Sequence, residues 1–348
     1  MQYDSLTQLQ TLAAEAPTQG TLHAQVTRKD VRHTKNGKPY LEVTLSDVGG
    51  NMVLKVWDNA PWNPDFQAVE VNACVAVTAT WQSTSFGMEM GDVDMRPLSP
   101  AEEEDLFIGG VELRQRQEAD WECIVDFVDT LSDPRLALLS RTLLTDFETR
   151  FRRSAAARGY HHARRGGLVE HTAGVMRAAD ALCHAYPAIN RDLVLTGALF
   201  HDCGKMWENV CDEHGLGMPY SDTGELLGHI TIGIELINNL WKGKVATEAN
   251  KQAWKGLIPS TEQVRMHLLH LIAAHHGSLE FGSPVVPKTP EALLLNHADD
   301  IDAKMEMYRA AYETSTALSP TIKQRRMPLP GNVVLPLPAY QPEGEGTV

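Results

Sequence analysis

The hydrophobic pattern of this chain changes its period once, and that change limits what the chain can fold into. Between Gly20 and about Leu98, apolar residues alternate with polar neighbours, as in Leu41, Val43, Leu45 and again in Val75, Val77, Ala79, Trp81. This is the period of strands that bury one face. From about residue 117 to 315 the apolar positions recur every three or four residues, in segments separated by glycine and proline, which is the period of amphipathic helices. A chain of 348 residues also exceeds what one ordinary core takes up. The expectation is a two-domain protein: a small all-β barrel over residues 1–99, an all-α domain over 100–318, and a proline-rich tail over 319–348.

Asn36-Gly37 and Gly49-Gly50-Asn51 are the turn residues that short antiparallel strands require. Five strands in roughly 80 residues suggest a closed barrel, and the OB-fold is the natural candidate. Such barrels bind single-stranded nucleic acid on aromatic faces beside a basic groove. Tyr40, Trp57, Trp62, Trp81 and Phe86 are candidate faces, although aromatics also fill the cores of small barrels. The net charge of −14 excludes a protein that coats nucleic acid by bulk electrostatics. It leaves room for local basic clusters, of which there are two: Arg28, Lys29, Arg32, Lys35 and Lys38, and later Arg150, Arg152, Arg153, Arg158, Arg164 and Arg165.

No apolar run approaches the roughly 20 residues that cross a bilayer, and the start, MQYDSLTQLQ, has no basic stretch leading into a hydrophobic one. The expectation is a soluble, cytoplasmic protein without membrane contact. Its five cysteines show no close pairing and read as reduced thiols. Ser99-Pro100 followed by Glu102, Glu103 and Glu104 marks a helix start. Prolines 320, 328, 330, 336, 338 and 342 preclude helix in the tail, which is expected to be extended or disordered.

Within the helical region, five segments each carry metal-capable residues on an apolar stripe. His171 shares a stripe with Leu168 and Val175; His201-Asp202 ends an apolar run just before Gly204, which would terminate the helix. His229 lies between Leu226 and Gly233; His275-His276 ends the stripe Val264, Leu268, Leu271, with Gly277 as the stop. Asp299 aligns with Leu295 and Asp302. One histidine on such a stripe is usually a hydrogen-bonded core residue. Buried aspartates are different, because an uncompensated carboxylate inside a helical bundle is costly, and the whole set needs cations. Imidazole with carboxylate suits Mn, Fe, Co, Ni or Zn better than Mg or Ca, and one or two such ions are expected, Mn first among them. Lys205 would offset charge developing on phosphoryl oxygens. His297 falls on the opposite face from Asp299 and is left out.

The order H, HD, late D, carried by His171, His201-Asp202 and Asp299, resembles the HD-domain metal phosphohydrolases. The added His229 and His275-His276 resemble those members that hold two metals. The stretches FRRSAAARGYHHARRGGLVEHT, ALFHDCGK, ELLGHITIG and AAHHGSLEFGSPVVPKTPEALLLNHADDIDAKM are similar to the YhaM-type 3′–5′ exonucleases, in which an OB-fold precedes an HD domain. This resemblance spans about residues 20 to 310. The segment WKGKVATEANKQAWKGLIPS, from 241 to 260, departs from it, and 155–165 differs in detail.

The resemblance implies a first cation on His171, His201, Asp202 and Asp299 and a second on Asp202, His229, His275 and His276, with Asp202 bridging. It further implies that His161 and His162 stand near the substrate entrance, to contact phosphate or protonate the leaving oxygen. Asp302 would orient a ligand histidine. The activity implied is hydrolysis of phosphodiester bonds in single-stranded RNA or DNA by a water activated at the cations. The alternatives are a phosphohydrolase of free nucleotides or cyclic dinucleotides, against which the missing GYP-like tripeptide counts in part, and a non-catalytic binding protein with a relic site. A homo-oligomer is left open.

Overall fold

A computed structural model describes residues 1–84, 86–157, 162–210, 212 and 214–340. It opens with a helix that the alternation does not signal, α1 (Leu6–Glu15), capped by the Ser5 hydroxyl accepting from Gln8 N. Leu6, Leu9 and Ala13, spaced along one face, bury against the barrel that follows.

That barrel comprises β1 (Thr18–His33), β2 (Pro39–Asp47), β3 (Gly50–Trp57), β4 (Cys74–Thr84) and β5 (Gly87–Pro97), with α2 (Asn63–Ala68) between β3 and β4. It closes in the order β1-β2-β3-β5-β4, the OB arrangement. One long strand serves both halves: β1 pairs with β4 through Thr18–Gln25 and with β2 through Gln25–His33. An irregularity between Val26 and Arg28 supplies the bend that this requires. The alternating residues Leu22, Ala24, Val26, Val43, Leu45, Leu54, Val56, Val77 and Trp81 fill the interior.

Of the candidate stacking aromatics, Trp81 is core: it is fully buried, and its indole N–H donates to Gly20 O at 3.0 Å. Tyr40 and Trp57 pack against each other at the surface with ring centroids 5.2 Å apart, and Phe86 is exposed. The first basic cluster is largely self-compensated. Arg28 and Arg32 pair with Asp30 and Glu42, and Lys29 donates to the carbonyls of Gln67 and Val69.

The helices follow: α3 (Pro100–Ile108), α4 (Val111–Asp129), α5 (Pro134–Arg153), α6 (Gly167–Ala185), α7 (Arg191–Phe200), α8 (Lys205–Glu208), α9 (Asp222–Leu240), α10 (Glu248–Ala253), α11 (Thr261–Ala274) and α12 (Pro290–Thr314). Ser99 and Glu102 form a reciprocal cap on α3. Apolar faces of α4 to α7, α9, α11 and α12 make one core. The 241–260 segment begins as a wide turn whose Trp241 and Val245 enter that core, then continues through the exposed α10.

Beyond α12 the described part of the proline-rich segment, to residue 340, is not helical, yet it is anchored. Short strands β6 (Ile322–Lys323) and β7 (Val333–Val334) pair, and Leu329 and Val333 bury against Ala311. Gln25 of β1 joins barrel to helices, donating to His214 O and accepting from Leu216 N. No helix among the described residues is long and apolar enough to cross a membrane.

Candidate metal centre

Five elements bring their polar side chains to one inward point. α6 supplies His171; His201 and Asp202 follow directly on α7; α9 supplies His229; His275 and His276 follow on α11; α12 supplies Asp299. His171 Nε2 lies 3.1 Å from His201 Nε2, 3.2 Å from Asp299 Oδ1 and 3.5 Å from Asp202 Oδ2. On the other side of the same carboxylate, Asp202 Oδ1 lies 3.4 Å from His229 Nε2 and 3.7 Å from His275 Nε2. The His276 ring is 4.3 Å from that of His275 and 5.1 Å from that of His229. Two groups, His171-His201-Asp202 and His229-His275-His276, each hold ligand atoms within 4.8 Å of one another.

Local structure dictates which ring nitrogen each histidine presents. His201 and His275 stand at helix ends, where the last carbonyls lack intrahelical partners. Each donates Nδ1–H to the carbonyl three residues back, Ala198 O and Ile272 O, both at 2.7 Å. A carbonyl only accepts, so in the neutral ring Nε2 is the bare nitrogen. His276 does the same with Phe281 O at 2.7 Å. His171 Nδ1 lies 2.7 Å from Asp302 Oδ2, and His229 Nδ1 lies 3.0 Å from Glu208 Oε1. All five Nε2 atoms are thereby aimed at the Asp202 carboxylate or its surroundings.

These residues fit divalent cations. Among the described residues, the buried atoms Asp202 Oδ1, His229 Nε2 and His275 Nε2 have no hydrogen-bond partner, a costly state for three convergent polar atoms unless a cation satisfies them. Burial, reinforced by His276 and His201, pushes His275 well below the usual histidine range, and burial likewise lowers His276. Both are neutral and free to ligate. His171 behaves oppositely: burial opposes its charge, but Asp299 and Asp302 outweigh burial and raise it to about 10. Asp202 is held far down against burial, chiefly by Lys205 and His201.

Lys205 Nζ lies 2.9 Å from Asp202 Oδ2 and donates to Ala156 O, so the buried ammonium is engaged with the bridging carboxylate. His162 Nε2 lies 3.0 Å from Asp302 Oδ2, sharing the oxygen that holds His171. His161 lies outside the described residues. Gly204 does not stop α7 in a left-handed conformation; its φ is −63°. A Cβ there would fall 1.9 Å from His229 O, so glycine lets α9 approach the HD pair. Gly277, at φ +77°, does close α11 as its position suggests.

The HD domain family model matches residues 168–304, the stretch that contains every candidate ligand. The 3′–5′ exoribonuclease YhaM of Geobacillus sp. (strain WCH70) is 30% identical over 80% of this chain and 80% of its own. YhaM of Bacillus subtilis (strain 168) is 30% identical over 80% of this chain and 82% of its own. The chain belongs to the YhaM family. Carrying an HD domain as well, this YhaM-family protein is a metal-dependent hydrolase of phosphodiester bonds. A solved structure, the second OB-fold domain of replication protein A from Methanococcus maripaludis, aligns with 28% of the chain and 98% of its own at 20% identity and TM-score 0.20.

The YhaM-family centre also contains groups that reading the sequence did not single out. Glu208, at the end of α8, accepts from both His229 Nδ1 and His229 N. The buried Glu170 accepts from Arg164 and Gln117 Nε2, and Arg164 also donates to Glu306 at 2.9 Å. This ties the strand of chain before α6 to α12 beneath His162. Glu208 has a weak sequence signal, a carboxylate six residues past Asp202 at the end of a four-residue helix. Arg164 has none that separates it from its basic neighbours.

Proposed function

We propose that this chain removes nucleotides from the 3′ end of single-stranded RNA, or DNA, using two transition-metal cations of which Mn is the first choice. One would be held by His171, His201, Asp202 and Asp299, the other by Asp202, His229, His275 and His276. The observation that carries this reading is the division of Asp202: Oδ2 faces His171 and His201, each at 3.5 Å, while Oδ1 faces His229 and His275. Bound cations supply a Lewis acid for the phosphoryl oxygens and lower the pKa of water to the neutral range.

The chain's own residues do the rest. The carbonyls of Ala198, Ile272 and Phe281 and the carboxylates of Asp302 and Glu208 hold the imidazoles in one tautomer, so no reorganisation is needed when ligands bind. Lys205 balances Asp202 and leaves the centre less repulsive to a phosphate. His162, resting on Asp302, is the candidate to meet a phosphate or the leaving oxygen. Trp57 and Phe86 offer exposed rings for single-stranded bases on the barrel, with the half-buried Tyr40 packed against Trp57.

The test uses one oligonucleotide labelled at its 5′ end and the same oligonucleotide labelled at its 3′ end, with protein reconstituted in Mn. The expected result is immediate release of the 3′ label as mononucleotide and a descending ladder of the 5′-labelled strand. Release of the 5′ label first would reverse the polarity. Turnover of nucleoside triphosphates or cyclic dinucleotides with the oligonucleotide intact would replace a polymer substrate by a free nucleotide.

A further inference from the structure

The ligands differ in exposure, and the difference locates the mouth of the centre. His171, His201, His275 and Asp202 are buried, whereas His229, His276 and Asp299 are only partly covered. His229 and His276, whose rings lie 5.1 Å apart, form one side of the opening. Large apolar side chains stand in water close in sequence to both of these ligands. Phe281 is 73% exposed and Leu279 67%, on the short turn whose Phe281 carbonyl fixes His276. Leu226 is 82% exposed and Leu227 48%, immediately before the non-helical Gly228 that precedes His229. Exposed apolar groups gathered at a polar opening are uncommon unless something covers them.

We infer that Phe281, flanked by Leu279, is the platform on which the terminal nucleobase of the substrate stacks while its phosphate occupies the metal centre. This rests on the exonuclease reading, and it names what selects the end of the strand. The occupant follows from continuity. A terminal base is joined to its phosphate through one sugar, so a phosphate held beside His229 and His276 brings that base to the surface just outside them, where Phe281 stands. Every base has a π-face, so the contact tolerates sequence while rewarding an unpaired, unstacked end. A base-paired end would have to unstack first.

The experiment compares wild type, Phe281→Ala and Phe281→Trp on single-stranded oligonucleotides ending in either a normal or an abasic 3′ nucleotide. A second oligonucleotide carries 2-aminopurine at the 3′ end, and its fluorescence is read with Ca²⁺ in place of Mn. Wild type is expected to favour the normal end in kcat/KM by roughly tenfold, the stacking of one base. That ratio should collapse towards one in Phe281→Ala and return in Phe281→Trp, with 2-aminopurine quenched by wild type and Phe281→Trp only. A preference that survives in Phe281→Ala, or quenching independent of residue 281, overturns the inference while leaving an active exonuclease in place. Quenching that depends on residue 281 without hydrolysis would instead overturn the exonuclease reading and keep the platform. A change in sedimentation of Phe281→Ala with quenching unaltered would mean that the apolar mouth meets a second copy of the chain, and would also overturn it.

Discussion

Around Asp202 Oδ2, His171 and Asp299 lie 3.2 Å apart with Asp302 behind His171 at 2.7 Å; around Asp202 Oδ1, His229 and His275 present nitrogens with no hydrogen-bond partner among the described residues. The first half carries two carboxylates besides the bridging one and can hold itself together by sharing a proton. The second half has, besides the bridging carboxylate, only Glu208 behind His229, and its His275 and His276 are neutral. A buried cluster tolerates convergence of polar atoms only if each is compensated. In one half the compensation is internal, and in the other it must come from outside. The first should therefore behave as part of the fold, the second as a binding site.

The largest expected effect comes from the residue that belongs to both halves. Asp202→Ala should lose both cations by elemental analysis and reduce oligonucleotide hydrolysis to background. It also leaves Lys205 buried without its carboxylate. An Asp202→Ala protein that kept one cation would show that the halves are independent and that Asp202 does not bridge.

Next come the two histidines on either side. His171→Ala removes the group between Asp299 and Asp302, and an uncompensated buried charge costs about 3–5 kcal/mol. The cation-free variant should melt well below wild type. His229→Ala takes a partly exposed ring whose backbone N–H still serves Glu208. Its cation-free stability should change by less than about 1 kcal/mol, while one of two cations is lost. Equal destabilisation by the two substitutions in denaturant melts would erase the distinction between a structural half and a binding half.

Most of this contrast lies in residues that differ in how visible they were before the coordinates. The ligands were legible because each is a rare residue on a stripe of Leu, Val and Ile at helical spacing, and such stripes must face inward. The tautomer locks of His201 and His275 were nearly legible, since a histidine at a helix end beside a glycine has free carbonyls within reach. Glu208 and the Arg164-Glu170-Glu306 network were not. Their partners are distant in sequence, and nothing local distinguishes a buried carboxylate from a solvated one. In the barrel, the alternation locates the strands but not α1, because the short stripe Leu6, Leu9 and Ala13 makes a weak period until the barrel end it covers is known. Trp81 was ambiguous for the opposite reason: its position in the alternation marks the inner face, while its indole suits a platform equally well. Its full burial, with the Gly20 carbonyl accepting its N–H, decides for core.

A smaller effect separates the orienting carboxylates. Asp302→Asn should weaken the cation next to His171, and Glu208→Gln the cation next to His229, each by about 10–100-fold. Titration with Mn, followed by calorimetry, resolves the two sites if their affinities differ. Each substitution is expected to move its own site alone; a common shift of both would mean that the orienting groups act through Asp202 instead.

The finest distinction is the proton. His171 is raised from 6.5 to about 10 in the folded cation-free protein. A raised histidine stabilises the fold fully below its ordinary value, and that contribution fades as pH climbs through the raised one. Asp299 and Asp302 are pushed down instead, against burial, by His171 with His201 and by His162 with His171 respectively. Their contribution is present everywhere above the ordinary carboxylate range and does not vary in alkali. Below pH 9, where the buried thiols of Cys74, Cys183 and Cys203 do not yet count, the alkaline limb of stability isolates His171, and the cation-free protein should lose melting temperature steadily between pH 7 and 9, whereas the loaded protein should not. Binding at this half should expel about one proton at pH 8, because a ligand nitrogen must be bare. His275 and His276 are already neutral, so binding at their half should expel none from them. Calorimetry in two buffers of different ionisation enthalpy measures the number directly, and a proton released at the His229 half rather than the His171 half would invert the assignment of which side the fold itself compensates.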